Sequence, residues 1–170
     1  MIEAAGKLRD DEALWRFSAA FYARPGVSEA LVALQDRAGW DVNLMLYALW
    51  LGVCQGGRLT KEGLAIAEQV AQPIRTDIVE PLRALRRKLR ADPAADVQSL
   101  RDGIKKLELD AEKAIQVRLG RIQRSARTGV GPAARSAAAR ANLARYLGPD
   151  MARSPEAAAI GEALEAFIRD

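Results

Sequence analysis

The chain has no histidine and one cysteine in 170 residues, with three each of Trp, Tyr and Phe. Without histidine there is no imidazole acid–base chemistry, no Ser-His or Cys-His nucleophile pair and no His-ligated metal. The lone Cys54 leaves neither an internal disulfide nor a structural zinc site, and it fits a reducing compartment. An enzyme built on this chain would have to work with carboxylates, Lys, Tyr or a single thiol. A long apolar run is missing too. Leu44 to Cys54 is interrupted by Gly52 and stops at Gln55, well short of the roughly 20 residues of a membrane span. The first residues carry Glu3, Asp10, Asp11 and Glu12, without a basic stretch leading into an apolar one. No secretory signal is expected there, and the localisation expected is cytoplasmic. Strand alternation, hairpin turns and nucleotide-binding fingerprints are all lacking. No cofactor and no metal is expected.

What is present is ordinary for a globular domain: 49% hydrophobic and 28% charged residues. The charge is unevenly spread. Residues 1–80 carry 8 Lys and Arg against 11 Asp and Glu, and residues 81–170 carry 18 against 11. From Lys113 to Pro149 there are eight basic residues and no acid. Such a stretch is either a solvated helical face or a surface for an anionic partner.

Helical periodicity runs through the whole chain. Leu14, Phe17, Ser18 and Phe21 recur at i, i+3, i+4, i+7 and predict a helix over 11–23, closed by Arg24-Pro25-Gly26. Val27, Ala30, Leu31, Leu34 and Ala38 predict a second over 27–38, ended by Gly39. Asp41 caps a third over 42–54, apolar on nearly all sides and therefore central. Thr60 caps a fourth, in which Pro73 predicts a kink or break near 72. Ile74, Ile78, Leu82, Leu85 and Leu89 continue the pattern to about 90, with Pro81 as a second kink. Asp92-Pro93 opens the longest periodic run, in which Val97, Leu100, Ile104, Leu107, Ala111, Ala114 or Ile115, Leu119 and Ile122 predict one helix over 93–126. It should fold back on 74–90 as an antiparallel hairpin.

Arg127-Thr128-Gly129-Val130-Gly131-Pro132 is the best internal boundary. It divides a helical core plus hairpin, 1–128, from a basic, Ala-rich helical segment, 129–170, docked on the core or on a partner. Leu143, Tyr146 and Leu147 are the only large apolar anchors of 133–147, so little burial is expected there. Ser154-Pro155-Glu156 starts a last short amphipathic helix. The fold class expected is all-α: a compact helical core, a long antiparallel helical hairpin and short C-terminal helices.

Two sets of candidate site residues emerge. Gln35, Asp36, Trp40, Asp41 and Asn43 cluster at the turn between the second and third helices. Two carboxylates facing one pocket can share a proton or hold a cation; capping by Asp41, with Asn43 or Gln35 tying the loop down, is the plainer reading. Trp40 sits in the turn itself, where it is placed to meet a partner. Arg118, Arg121, Arg124, Arg127 and Arg135 form the second set, a stripe suited to phosphates or to an acidic protein surface. No aromatic interleaves it, which argues against base reading. Cys54 has only Arg58 as a nearby cation in sequence and is expected to be inert.

The pattern Trp15-x-Phe17-Ser18, Pro25-Gly26-Val27, Gln35-Asp36, Gly39, Asp41-Val42-Asn43, Leu49-Trp50-Leu51-Gly52 resembles a family of short proteobacterial proteins of unknown function. The likeness runs to about residue 90. It implies a cytoplasmic bacterial protein and supplies no catalytic residues. The function expected is a non-enzymatic helical interaction or adaptor protein whose partner is another protein or a second copy, a homodimer. Alternatives are a nucleic-acid- or ribosome-associated protein using the basic half, and a ligand-binding protein or enzyme with its site at the 35–43 turn.

Overall fold

The third helix forms where the sequence marks it. Gly39 takes the left-handed conformation (φ 71°) and ends the helix before it. The Asp41 side chain then accepts from the Asn43 amide at 2.8 Å and caps the next. The structure is a computed structural model that describes residues 11–54, 56–122 and 130–170. The elements are α1 (Ala13–Tyr22), α2 (Val27–Ala38), α3 (Val42–Val53), α4 (Lys61–Ile74), α5 (Glu80–Lys88), α6 (Ala95–Gly120), α7 (Pro132–Met151) and α8 (Pro155–Arg169). No strand occurs among the described residues, and the fold is all-α.

Every residue of α3 from Asn43 to Val53 is buried. Its neighbours are α1, α2, α4, α6 and, above all, α7. The α3–α7 crossing is a backbone contact. A Cβ on Gly52 would lie 2.3 Å from the Ala139 amide nitrogen and 2.4 Å from its Cα. The small residues of α7 thus serve close approach, and Ala139, Leu143, Tyr146 and Leu147 are all buried. That is more burial than the composition of 133–147 leads one to expect. Asn142 adds polar anchoring. Its Oδ1 accepts from the Leu59 amide at 2.8 Å, and its Nδ2 donates to the Ala48 and Gly57 carbonyls at 3.2 and 3.0 Å.

Of the kink or break expected near 72, the break does not occur. Helix continues through Pro73 into a π-helical turn, Arg75–Val79, and on through Pro81 to Lys88. A wide turn there moves the backbone off the ordinary i−4 pattern, which eases the clash of the Pro81 ring with the preceding turn. It also shifts the register of the inward face. Val79 is buried, whereas Ile78 and Leu85, placed inward by simple periodicity, are each 45% exposed. On α6, an unbroken α-helix, the expected register holds at Ile104, Ile115 and Leu119 and fails at Leu100 and Leu107, which are exposed, while Glu108 faces inward.

Over 26 residues, or roughly 39 Å, α6 runs back along α5, the π turn and α4 to α1 and α3. This is the antiparallel hairpin, longer than expected because α4 belongs to it. α8 closes the far side of the domain against α2 and α7. Phe167 stands edge-on to Phe17 and Phe21, each at 5.6 Å.

Replacing Gly52 by Ala should lower stability by about 3 kcal/mol or more, because the clash is with backbone. Ala139→Gly should not rescue it, since the opposing atoms remain. Thermal unfolding of the single and double variants checks this; a rescued melting temperature would mean that the contact is made by side chains.

Candidate functional site

Where α6 crosses in front of α1 and α3, a half-open cleft of about 720 Å³ remains between the α1–α3 core and the hairpin. Its size is that of small-ligand and peptide sites. Trp15, Tyr22, Val42, Leu46 and Leu109 give it an apolar lining. Six cations surround it: Arg83, Arg86, Arg87, Arg90, Arg101 and Lys105. Three carboxylates face them, each paired with arginine, and Glu108 and Glu112 share Arg83. Glu108 accepts from Arg83 Nε at 2.8 Å and Arg86 Nε at 2.6 Å. Glu112 pairs with Arg83 Nη2 at 2.8 Å, and Asp36 with Arg87 at 3.4 Å. No acid among the described residues pairs with Arg90, Arg101 or Lys105, so the outer end of the cleft carries uncompensated positive charge.

The buried Glu108 and the half-buried Glu112 respond in opposite ways. Burial pushes Glu112 above the usual carboxylate range, and the nearby Glu108 and Asp41 charges add to this against the pull of Arg83. Burial also works to raise Glu108, but the hydrogen bonds from Arg86 and Arg83 outweigh it, and Glu108 is held low. Arg86 is raised in return, first by its bond to Glu108. Glu108 is thus the acid that closes the hairpin.

A second, more polar cavity of about 600 Å³ lies on the other side of the α2–α3 turn. It shares Gln35, Asp36, Asn43, Arg83 and Arg87 with the first and adds Trp40, Asp41, Glu68, Arg75 and Tyr146. All five turn candidates therefore line one cavity or both. Asp36 and Asp41 share the second cavity without forming a carboxylate pair. Asp41 caps α3, its Oδ2 pairs with Arg75 at 2.9 Å, and its amide donates to the Tyr146 hydroxyl at 3.0 Å. Burial works to lower Arg75, yet the bond and charge of Asp41, with Glu68, raise it. Trp40 is half-buried, edge-on to Tyr146 at 5.1 Å. Asn43 Oδ1 accepts from Gln116 Nε2 at 2.9 Å. Among the described residues no group of three or more His, Cys, Asp or Glu is placed to hold a metal.

Three of the five arginines of the basic set lie among the described residues. Arg118 is exposed, and Arg121 pairs with Asp11 at 2.8 Å. Arg135 is half-buried on α7, where its charge is felt by Cys54. Arg124 and Arg127 lie outside the described residues. Although part of Cys54 reaches solvent, protein packed round its sulfur raises the thiol to about 11 against the pull of Arg135. No described helix is long and apolar enough to cross a membrane.

Sequence reasoning missed Glu108, Gln116 and the α5 arginines as parts of a site. The available signal was a charged or amide residue beside the apolar stripe of a long helix. It could be read only by knowing which residues of α5 and α3 stand opposite.

A family model described as Protein of unknown function (DUF2390) matches residues 13–119. This stretch extends past the expected limit near 90 and holds every residue lining the first cleft. No curated protein and no solved structure matches the chain.

Glu108→Gln should lower stability by about 2 kcal/mol, since it leaves the half-buried Arg86 guanidinium without its carboxylate and Arg83 with Glu112 alone. Glu112→Gln should change it by no more than about 0.5 kcal/mol, in either direction. The Glu108 advantage, set by a lowered carboxyl, should be full at neutral pH and shrink as pH falls through that lowered value. Urea unfolding of the three proteins between pH 7 and pH 3 checks both signs.

Proposed function

The chain belongs to that family of unknown function, and from this footing we propose that it is a non-enzymatic helical interaction protein. It holds an anionic partner in the cleft between α1–α3 and the hairpin. One observation carries the reading: six Lys and Arg side chains against three carboxylates around an apolar-lined cleft. A cleft of that make-up attracts negative charge over distance and retains an apolar group by burial.

The chemistry of the cleft supports binding rather than catalysis. Its carboxylates are each engaged by arginine, so none is free to act as base or nucleophile without breaking a pair. The raised Cys54 thiol stands at the end of α3 and does not line the cleft. The nucleic-acid reading has less support, because Arg121 is paired with Asp11 and Arg135 is half-buried.

Affinity purification from lysate of the source cell, with wild type and an Arg90→Glu/Arg101→Glu/Lys105→Glu variant, tests the proposal. An acidic partner should be retained by wild type at 50 mM salt, released by 500 mM salt, and lost from the folded variant. A partner retained equally by both proteins would place the binding surface elsewhere.

A further inference from the structure

The cleft has two chemically different ends. Its inner end holds Ser18 and Gln116, each 3% exposed. Gln116 gives its Nε2 to Asn43, but its Oε1 has no hydrogen-bond partner, and neither has Ser18 Oγ. Toward the outer end, Arg101 Nε is also buried and unpartnered. Buried polar atoms are nearly always satisfied, and a group of exceptions along one cavity marks where a ligand's own polar atoms belong. Trp40 Nε1, at the second cavity, is a fourth of the six such atoms among the described residues.

The spacing of the two ends sets the length of the occupant. Gln116 and Lys105 are eleven residues apart on α6, or roughly 16 Å along the helix axis at 1.5 Å per residue. An extended peptide covers that span with about five residues at roughly 3.3 Å each. Such a peptide supplies backbone N–H groups for the unpartnered Gln116 Oε1, and its carbonyls accept from Ser18 and Arg101.

We propose that the cleft binds a short extended peptide segment with an apolar residue followed by acidic ones. The apolar side chain lies over Leu46 and Trp15, and the acidic residues meet Arg90, Arg101 and Lys105. This rests on the reading of the cleft as the site for an anionic partner and adds the partner's form. Charge complementarity selects the acidic residues, and the unpartnered acceptor at the buried end selects a chain with N–H groups over a bare apolar tail.

The test is selection of a displayed random heptapeptide library on the intact chain, followed by fluorescence anisotropy of the selected peptides. Anilinonaphthalenesulfonate, a small apolar anion, serves as a parallel probe. Selected peptides should carry one or two apolar residues beside two or more acids. Arg101→Glu/Lys105→Glu should weaken them at least tenfold. Ala19→Trp, which fills the cleft from an exposed position on α1, should abolish binding while leaving the melting temperature near that of wild type. Selected peptides without acidic bias, or binding that survives Ala19→Trp, would overturn the proposal. If no peptide is selected while the small anion binds and is blocked by Ala19→Trp, the peptide form is wrong and the reading of the cleft as an anion site stands. If neither probe binds the cleft, both fall.

Discussion

The backbone contact between Gly52 and Ala139 constrains everything around it. A helix buried on all sides must be covered on all sides, and α3 has no polar face to turn toward water. α1, α2 and the hairpin cover part of it. The remaining side is closed by α7, whose run of small residues brings its backbone to within contact of Gly52. A larger residue at either backbone crossing point would hold the two helices apart and open voids beneath Leu143 and Leu147. The Ala-rich composition of α7, poor in large apolar groups, is what close packing against α3 requires.

That contact also positions the site. With α7 seated, Tyr146 reaches the amide of Asp41 and supports Trp40, while Asn142 ties down the backbone at Gly57 and Leu59. The α2–α3 turn is thereby held between two cavities. From its other side, Asn43 meets Gln116 of α6, and Asp41 meets Arg75 at the π turn. The hairpin is thus attached to the core by polar contacts at the turn and closed on itself by Glu108 with Arg83 and Arg86. The cleft is the space left between those attachments, and its excess positive charge comes from Arg90, just past the end of α5, and from Arg101 and Lys105 on α6.

Much of this was legible in the sequence, for physical reasons that can be named. The Gly39 stop, the Asp41 cap and the apolar run of α3 are local signals, and each has its expected structure. So is the turn as a place where polar residues collect. The inward register of the hairpin was legible only in part: Ile74, Ile104, Ile115 and Leu119 are buried as periodicity places them, and Ile78, Leu85, Leu100 and Leu107 are not. One wide turn between Pro73 and Pro81 moves Val79 inward in place of Ile78, and no local pattern announces it. Glu108 was passed over for Leu107 because periodicity ranks apolar residues first. A buried acid is intelligible only once Arg83 and Arg86 are known to face it. The burial of α7 was underestimated for a related reason: alanine looks weak alone and becomes effective opposite a glycine.

Native-state hydrogen exchange resolved at single amides is the most direct test that α3 and α7 form one cooperative unit on which the site depends. The amides of Leu143 and Leu147 should exchange with the same opening free energy as those of Met45 and Leu49, through unfolding of the whole domain. Exchange of Leu143 and Leu147 at rates near those of an unstructured peptide, with α3 still protected, would contradict it.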